Sequence, residues 1–171
     1  MADLSLLHPA VRAAVETHGL DVDTLECEPD LADTAAFCEH YGYEIEQAAN
    51  TIVVASKKSD PARYAVCVVL GTTRLDVNRK VAELIETKKL SFADADTTAS
   101  LTGMLIGGVT AVGIDGHPIY VDAAVMQQSR VVMGGGNRSS KLVLDPRELL
   151  KLPTVTVVEA LANPIAAAST E

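Results

Sequence analysis

Two glycine-rich stretches hold the residues best suited to chemistry. The first, "TGMLIGGVTAVG" (Thr102–Gly113), sets Gly103, Gly107, Gly108 and Gly113 among small and β-branched side chains, with neither Lys nor Arg. Such clusters occur where something approaches the backbone closely, or where the chain turns as other residues cannot. The spacing is not the G-x-G-x-x-G of a dinucleotide site, and the Gly-Lys-Ser/Thr of a P-loop is absent. Two readings remain: a loop whose bare N–H groups face a ligand carbonyl, hydroxyl or water, or a tight turn between packed elements. The second stretch, "MGGGNRSSK" (133–141), follows three glycines with Asn137, Arg138, two serines and Lys141. Arg138 suits a phosphate or carboxylate. Equally, the segment suits a hairpin turn in which Gly and Asn supply positive φ. Between the two stretches Asp122 ends "IYVD". It is the acid best placed to point into a cleft shared by both, or else the cap of a turn.

Other chemistries find little support. His8, His18, His40 and His117 lack metal-ligand spacing, and Cys38-Glu39-His40 alone is a poor site, so no metal is expected. There is no G-x-S-x-G. Cys27, Cys38 and Cys67 are odd in number, widely spaced and free of CxxC, which reads as reduced thiols in a cytoplasmic protein. No apolar run reaches the roughly 20 residues of a membrane span. The start reads as an amphipathic helix, not a signal peptide. Aromatic residues make up only 4% with no Trp, so platforms for stacking bases are scarce. The net charge of -9 is uneven: residues 1–55 carry eleven acids against Arg12 alone, whereas 56–90 carry eight bases against four acids. That middle segment is the part suited to phosphates, or it is a solvated charged face.

The elements that must position these residues follow from pattern. A helix is expected at Pro9–His18, opened by proline and closed by Gly19, and another near Leu31–Tyr41 with Asp30 or Asp33 as cap and Gly42 as stop. "NTIVVAS" (50–56) and "RYAVCVVL" (63–70) read as strands joined by a polar turn. "DVNRKVAELIET" (76–87) has helical spacing behind Asp76, and "ADADTTASL" is a helical lead-in to the first glycine loop. Further strands are expected in 117–122, 130–134, 141–145 and 154–159, a helix start at 145–152, and a frayed tail over 162–171. Strands in consecutive runs, without strict β-α-β alternation, indicate one α+β domain over 1–171 with a mixed sheet.

Taken together, "TGMLIGGVTAVG", "HPIYVDAAV" and "RVVMGGGNRSSKLVLDPRELLKL", preceded by "NTIVVASKK" and "RYAVCVVLGTTRLDVNRKVAEL", resemble the YbaK/prolyl-tRNA synthetase-associated editing domains across roughly residues 10–155. The resemblance implies a curved mixed β-sheet surrounded by helices. It also implies hydrolysis of mischarged aminoacyl-tRNA by a positioned water, with no metal or organic cofactor. On this sequence, Gly107 and Gly108 would line the ester, Asn50 would position the terminal nucleotide and Asp122 would support the cleft. Thr110, Ala111, Gly113, Gly134, Gly135, Gly136, Asn137 and Arg138 would meet the substrate. Lys57, Lys58, Arg74 and Lys80 would meet the tRNA backbone, and a synthetase is a further candidate partner. Two departures stand out. Asn50 occupies the strand head where editing members commonly carry Lys, and Ala111 stands where the loop often has Pro. The implied function is therefore a free-standing trans-editing deacylase acting on a small amino acid. The alternative is a non-catalytic descendant that binds tRNA ends, a nucleotide or a protein partner.

Overall fold

Proline at the first turn and Gly19 in the left-handed conformation bound helix α1, Pro9–His18, as the pattern predicts. In the computed structural model, which describes residues 2–56 and 61–165, the helices that follow obey equally local signals. Helix α2, Thr34–Tyr41, starts after Asp33 and stops at Gly42. Ahead of it, Pro29–Leu31 forms a separate 3-10 turn. Asp76 caps a π-helical turn, Val77–Val81, by accepting from the Arg79 N–H, and the chain continues into α3, Ala82–Leu84. Asp94 caps α4, Ala95–Thr102, which delivers the chain to the first glycine loop.

The strands are β1 (Val22–Glu26), β2 (Ala49–Ser56), β3 (Arg63–Leu70), β4 (Thr73–Leu75), β5 (Leu90–Phe92), β6 (Ile119–Asp122), β7 (Val131–Gly134), β8 (Ser140–Leu144), β9 (Val155–Val158) and β10 (Ala162–Pro164). Five form a mixed sheet in the order β5-β2-β3-β6-β9. In it β2 pairs antiparallel with β3 and β5, while β3–β6 and β6–β9 are parallel. An antiparallel sheet β1-β8-β7 joins it through one parallel bridge, Ala48 to Val132. The α+β class and mixed sheet are as expected. The tail differs: Ala162–Pro164 pairs with Thr73–Leu75, a short ladder that holds part of the segment read as frayed.

Strand β3 explains its own apolar run. Val66, Val68 and Leu70 face a core shared with α1 and the three-stranded sheet, whereas Ala65, Cys67 and Val69 face a second core with Val77, Val81 and Leu161. A strand covered on both faces has no polar side to show. A third core of Cys27, Ala32, Phe37, Cys38, Ala48, Val132 and Val143 seats α2 against the three-stranded sheet. That docking leaves a gap between α2, the start of β2 and the first glycine loop.

Candidate active site

The gap is a cleft of about 450 Å³. Its walls are α2 with the turn before it (Ala32, Asp33, Thr34, Phe37), strand β2 (Asn50, Thr51), the glycine loop (Ile106, Gly107, Val109) and the end of β7 (Met133, Gly134), with Lys141 of β8 below. Asn50 is half-buried, and its Oδ1 accepts the Thr34 hydroxyl at 2.7 Å. What Asn50 can offer a ligand is therefore its amide hydrogens. The neighbouring Thr51 hydroxyl accepts the Ala111 N–H at 3.1 Å, tying the glycine loop to β2.

Gly107 sits at φ +93°, a conformation that L side chains rarely adopt, and its N–H makes no hydrogen bond among the described residues. Its carbonyl accepts from Lys141 Nζ at 3.1 Å. The Gly108 N–H, by contrast, donates to the Leu105 carbonyl at 2.8 Å, and its own carbonyl accepts the Gly136 N–H at 2.7 Å. The two glycine clusters thus lie directly on each other; they are not opposite walls of a cleft. A Cβ on Gly134 would stand 2.5 Å from the Gly108 oxygen.

Of the residues picked from sequence, Asn50, Gly107 and Gly134 line the cleft together. The others are placed elsewhere, each for a visible reason. Gly135 accepts the His8 N–H and Gly136 packs on His8 and Val11, while Asn137 donates to the Leu6 carbonyl and accepts from Ser139 and Ser140. Gly113 backs onto the α1 backbone at Ala10, so it serves helix docking. Thr110 and Ala111 are buried, and the Thr110 hydroxyl has no hydrogen-bond partner among the described residues. Arg138 is a clamp. Its Nε and Nη2 donate to the Pro29 carbonyl at 3.1 and 2.7 Å, and Nη1 donates to the Ile106 carbonyl at 2.8 Å and the Asp33 carboxylate at 3.2 Å. Arg74 is exposed on β4 and Lys80 half-exposed in the π turn, both away from the cleft. Lys57 and Lys58 lie outside the described residues.

Asp122 is also absent from the cleft lining. Only 2% exposed, it ends β6 with the N–H groups of Ala124, Leu161, Ala162 and Ala123 around its carboxylate. Burial still outweighs those donors and holds its pKa above the ordinary value of 3.8. A carboxyl with a raised folded pKa keeps its proton better in the folded than in the unfolded chain. Stability from this group is therefore lost as pH rises from the unfolded value through the folded one. Thermal melts of wild type and Asp122→Asn across that range are expected to show wild type losing ground to the variant as pH increases. A flat or opposite difference would overturn the assignment.

Sequence reasoning passed over Lys141, which is 6% exposed and donates to the Ala32 carbonyl at 2.6 Å as well as to Gly107. Its ammonium stands 5.2 Å from the centre of the Phe37 ring. Desolvation lowers its pKa, partly offset by Cys27 and Asp33. The signal available was a lysine inside an otherwise apolar strand directly after the second glycine cluster. For Cys38, also in the lining, burial pushes the thiol pKa up, against the thiolate that attack requires. At the rim Phe92 and Ile106 are 57% and 50% exposed.

An α+β domain with one cleft walled by a glycine loop, a sheet edge and a short helix is the class that fold and site define. The chain belongs to the aminoacyl-tRNA editing domain family, whose model matches residues 28–152. Among solved structures it is similar to a provisionally assigned trans-editing enzyme for prolyl-tRNA synthetase, at 27% identity and a TM-score of 0.74, over 90% of this chain and 97% of that one. A hypothetical protein shares the fold at 23% identity and a TM-score of 0.76, over 86% of this chain and 97% of its own.

Proposed function

We propose that the chain is a free-standing trans-editing deacylase that hydrolyses the ester linking a small amino acid to the 3' end of a mischarged tRNA. The observation that carries this reading is the cleft itself: the Gly107 N–H, which has no hydrogen-bond partner among the described residues, the Asn50 amide and the buried Lys141 ammonium belong to residues that line one space of about 450 Å³. Those are donors for a carbonyl on which negative charge develops. Small and aliphatic side chains such as Ala32, Ala48, Ala49 and Val132 line the remainder, which suits alanyl, seryl or cysteinyl esters. Asp33, the one carboxylate in the lining among the described residues, is engaged by Arg138. Catalysis then rests on positioning a water and stabilising the oxyanion, with no protein general base assigned.

The tRNA end has a route out of the cleft. Phe92 lines both the cleft and a second depression that holds Arg74, Asn78 and Asn163. A terminal base on the Phe92 ring and a phosphate near Arg74 suit that arrangement. The compartment that fits such a substrate, and the reduced cysteines, is the cytoplasm.

A second reading is supported by the same engaged Asp33: a cleft without an available base suits a module that binds aminoacylated or free tRNA ends without turnover. A panel of alanyl-, seryl- and cysteinyl-tRNAs, each mischarged, separates the two. The deacylase reading expects loss of ester well above the buffer rate for one small amino acid. Tight tRNA binding with no hydrolysis across the panel at high protein concentration would replace it with the binding module.

A further inference from the structure

Burying an ammonium is costly unless a counter-charge or enough acceptors replace its water. Lys141 has neither in full. It makes no ion pair within 4 Å among the described residues, and the nearby Asp33 carboxylate is already held by Arg138. An ammonium carries three hydrogens. Two are accounted for, by the Ala32 carbonyl at 2.6 Å and the Gly107 carbonyl at 3.1 Å, and the Phe37 ring covers one side. Lys141 is also the only cation lining the cleft among the described residues. A desolvated charge with a hydrogen to spare, facing a space the size of a small ligand, is built to meet an oxygen there.

We infer that Lys141 is a substrate-contacting residue: its ammonium holds the glycine loop through the Gly107 carbonyl and gives its remaining hydrogen to the acyl carbonyl oxygen of the ligand. The inference rests on the deacylase reading and adds to it the group that would balance charge on that oxygen. As water attacks, the carbonyl π pair moves onto the oxygen. The oxyanion pair then re-forms the C=O bond as the ester C–O bond to the ribose breaks, and the departing ribose oxygen takes a proton from the attacking water. Lys141 neither gains nor loses a proton in this sequence; it stabilises by charge.

The groups facing the ammonium are Cys27 after β1, Asp33 before α2, Cys38 on α2 and Arg138 in the second glycine loop. Cys27, Asp33 and Cys38 favour the charged form, whereas Arg138 and burial oppose it. The rate should therefore fall at alkaline pH as the ammonium deprotonates, below the ordinary lysine range.

The test uses the full chain, uniformly ¹⁵N-labelled, and the non-hydrolysable probe 3'-(L-alanylamino)-3'-deoxyadenosine. The Lys141 Nζ resonance, identified by its loss in Lys141→Met, is expected to shift on adding the probe in wild-type protein. Lys141→Met is expected to lose about 10²-fold in kcat, comparable to deleting an oxyanion donor. If the probe shifts the Gly107 and Asn50 signals but leaves Nζ unmoved, the contact is refuted while the deacylase reading stands. Wild-type kcat in a folded Lys141→Met does the same. If the probe fails to bind and no mischarged tRNA is hydrolysed, both readings fall together.

Discussion

Replacing Gly108 by alanine is expected to lower the melting temperature by about 6–12 °C, the equivalent of about 3 kcal/mol in a chain of this length. The reason is contact, not backbone strain, because Gly108 does not adopt a positive φ. The added Cβ would overlap the Asn137 carbonyl and stand 2.8 Å from the Asn137 nitrogen. Both are backbone atoms, so no rotamer change relieves the clash. The two glycine loops would have to separate, breaking the Gly136-to-Gly108 hydrogen bond and shifting the cleft wall at Gly107 and Val109. Gly134→Ala attacks the same contact from the other side, 2.5 Å from the Gly108 oxygen. The double variant should therefore cost less than the sum of the two, since the first substitution already parts the loops. Gly107 is a contrast of another kind: its φ of +93° strains any L side chain, and its Cβ would displace the Arg138 guanidinium, so a substitution there acts through backbone strain and the clamp instead of a backbone clash. A Gly108→Ala protein melting within about 2 °C of wild type would show that the loops are not load-sharing backbone contacts.

Elements announced by local chemistry were legible, and those created by a distant partner were not. Helix α1 runs from Pro9 to His18 because a first-turn proline and Gly19 fix both ends without help. Strands β2 and β3 were visible because their β-branched cores, "TIVVA" and "AVCVVL", leave few alternatives. By contrast, β1 is "VDTLE", with an exposed Asp and Glu, and exists because β8 pairs with it residue by residue from Val22 to Glu26. Strands β4 and β10 have three residues each, and among the described residues each is paired only with the other. No periodicity can show in three residues. The same divide runs through the site. Asn50, Gly107 and Gly134 were legible as residues of strand head and glycine loop, and all three line the cleft. Lys141 was not, because a lysine in a strand ordinarily marks the solvent face. Here β8 lies between β1 and β7 with every residue buried, and the lysine side chain reaches the Ala32 and Gly107 carbonyls at the cleft. Arg138 was recognised by type, but its partners come from residues 29–33 and 106, more than thirty positions away in sequence.

That separation makes Arg138 the residue whose replacement should change activity most without touching the ligand. Its guanidinium bridges the Pro29 carbonyl, the Asp33 carboxylate and the Ile106 carbonyl, so it fixes the glycine loop against the turn before α2. The Asp33 pair contributes little by itself, because that carboxylate is 69% exposed and screened. The hydrogen bonds to the two carbonyls matter more, since a lost charged hydrogen bond costs about 1.5–3 kcal/mol. Arg138→Ala is expected to lower stability by about 2 kcal/mol and kcat by ten- to a hundredfold, because a loop displaced by about 1 Å misplaces the Gly107 donor. Arg138→Lys should rescue little: an ammonium cannot reproduce a planar fork that spans three acceptors. The split between kcat and KM decides between this clamp and a direct contact with tRNA phosphate. A phosphate contact would raise KM, leave kcat intact and flatten the salt dependence of binding by about one unit of slope. A clamp leaves the salt slope unchanged and moves kcat. Near wild-type kcat in Arg138→Ala, with a reduced salt slope, would return Arg138 to the role of a phosphate ligand and leave the loop to be held by Lys141, Thr51 and the Gly136-to-Gly108 hydrogen bond.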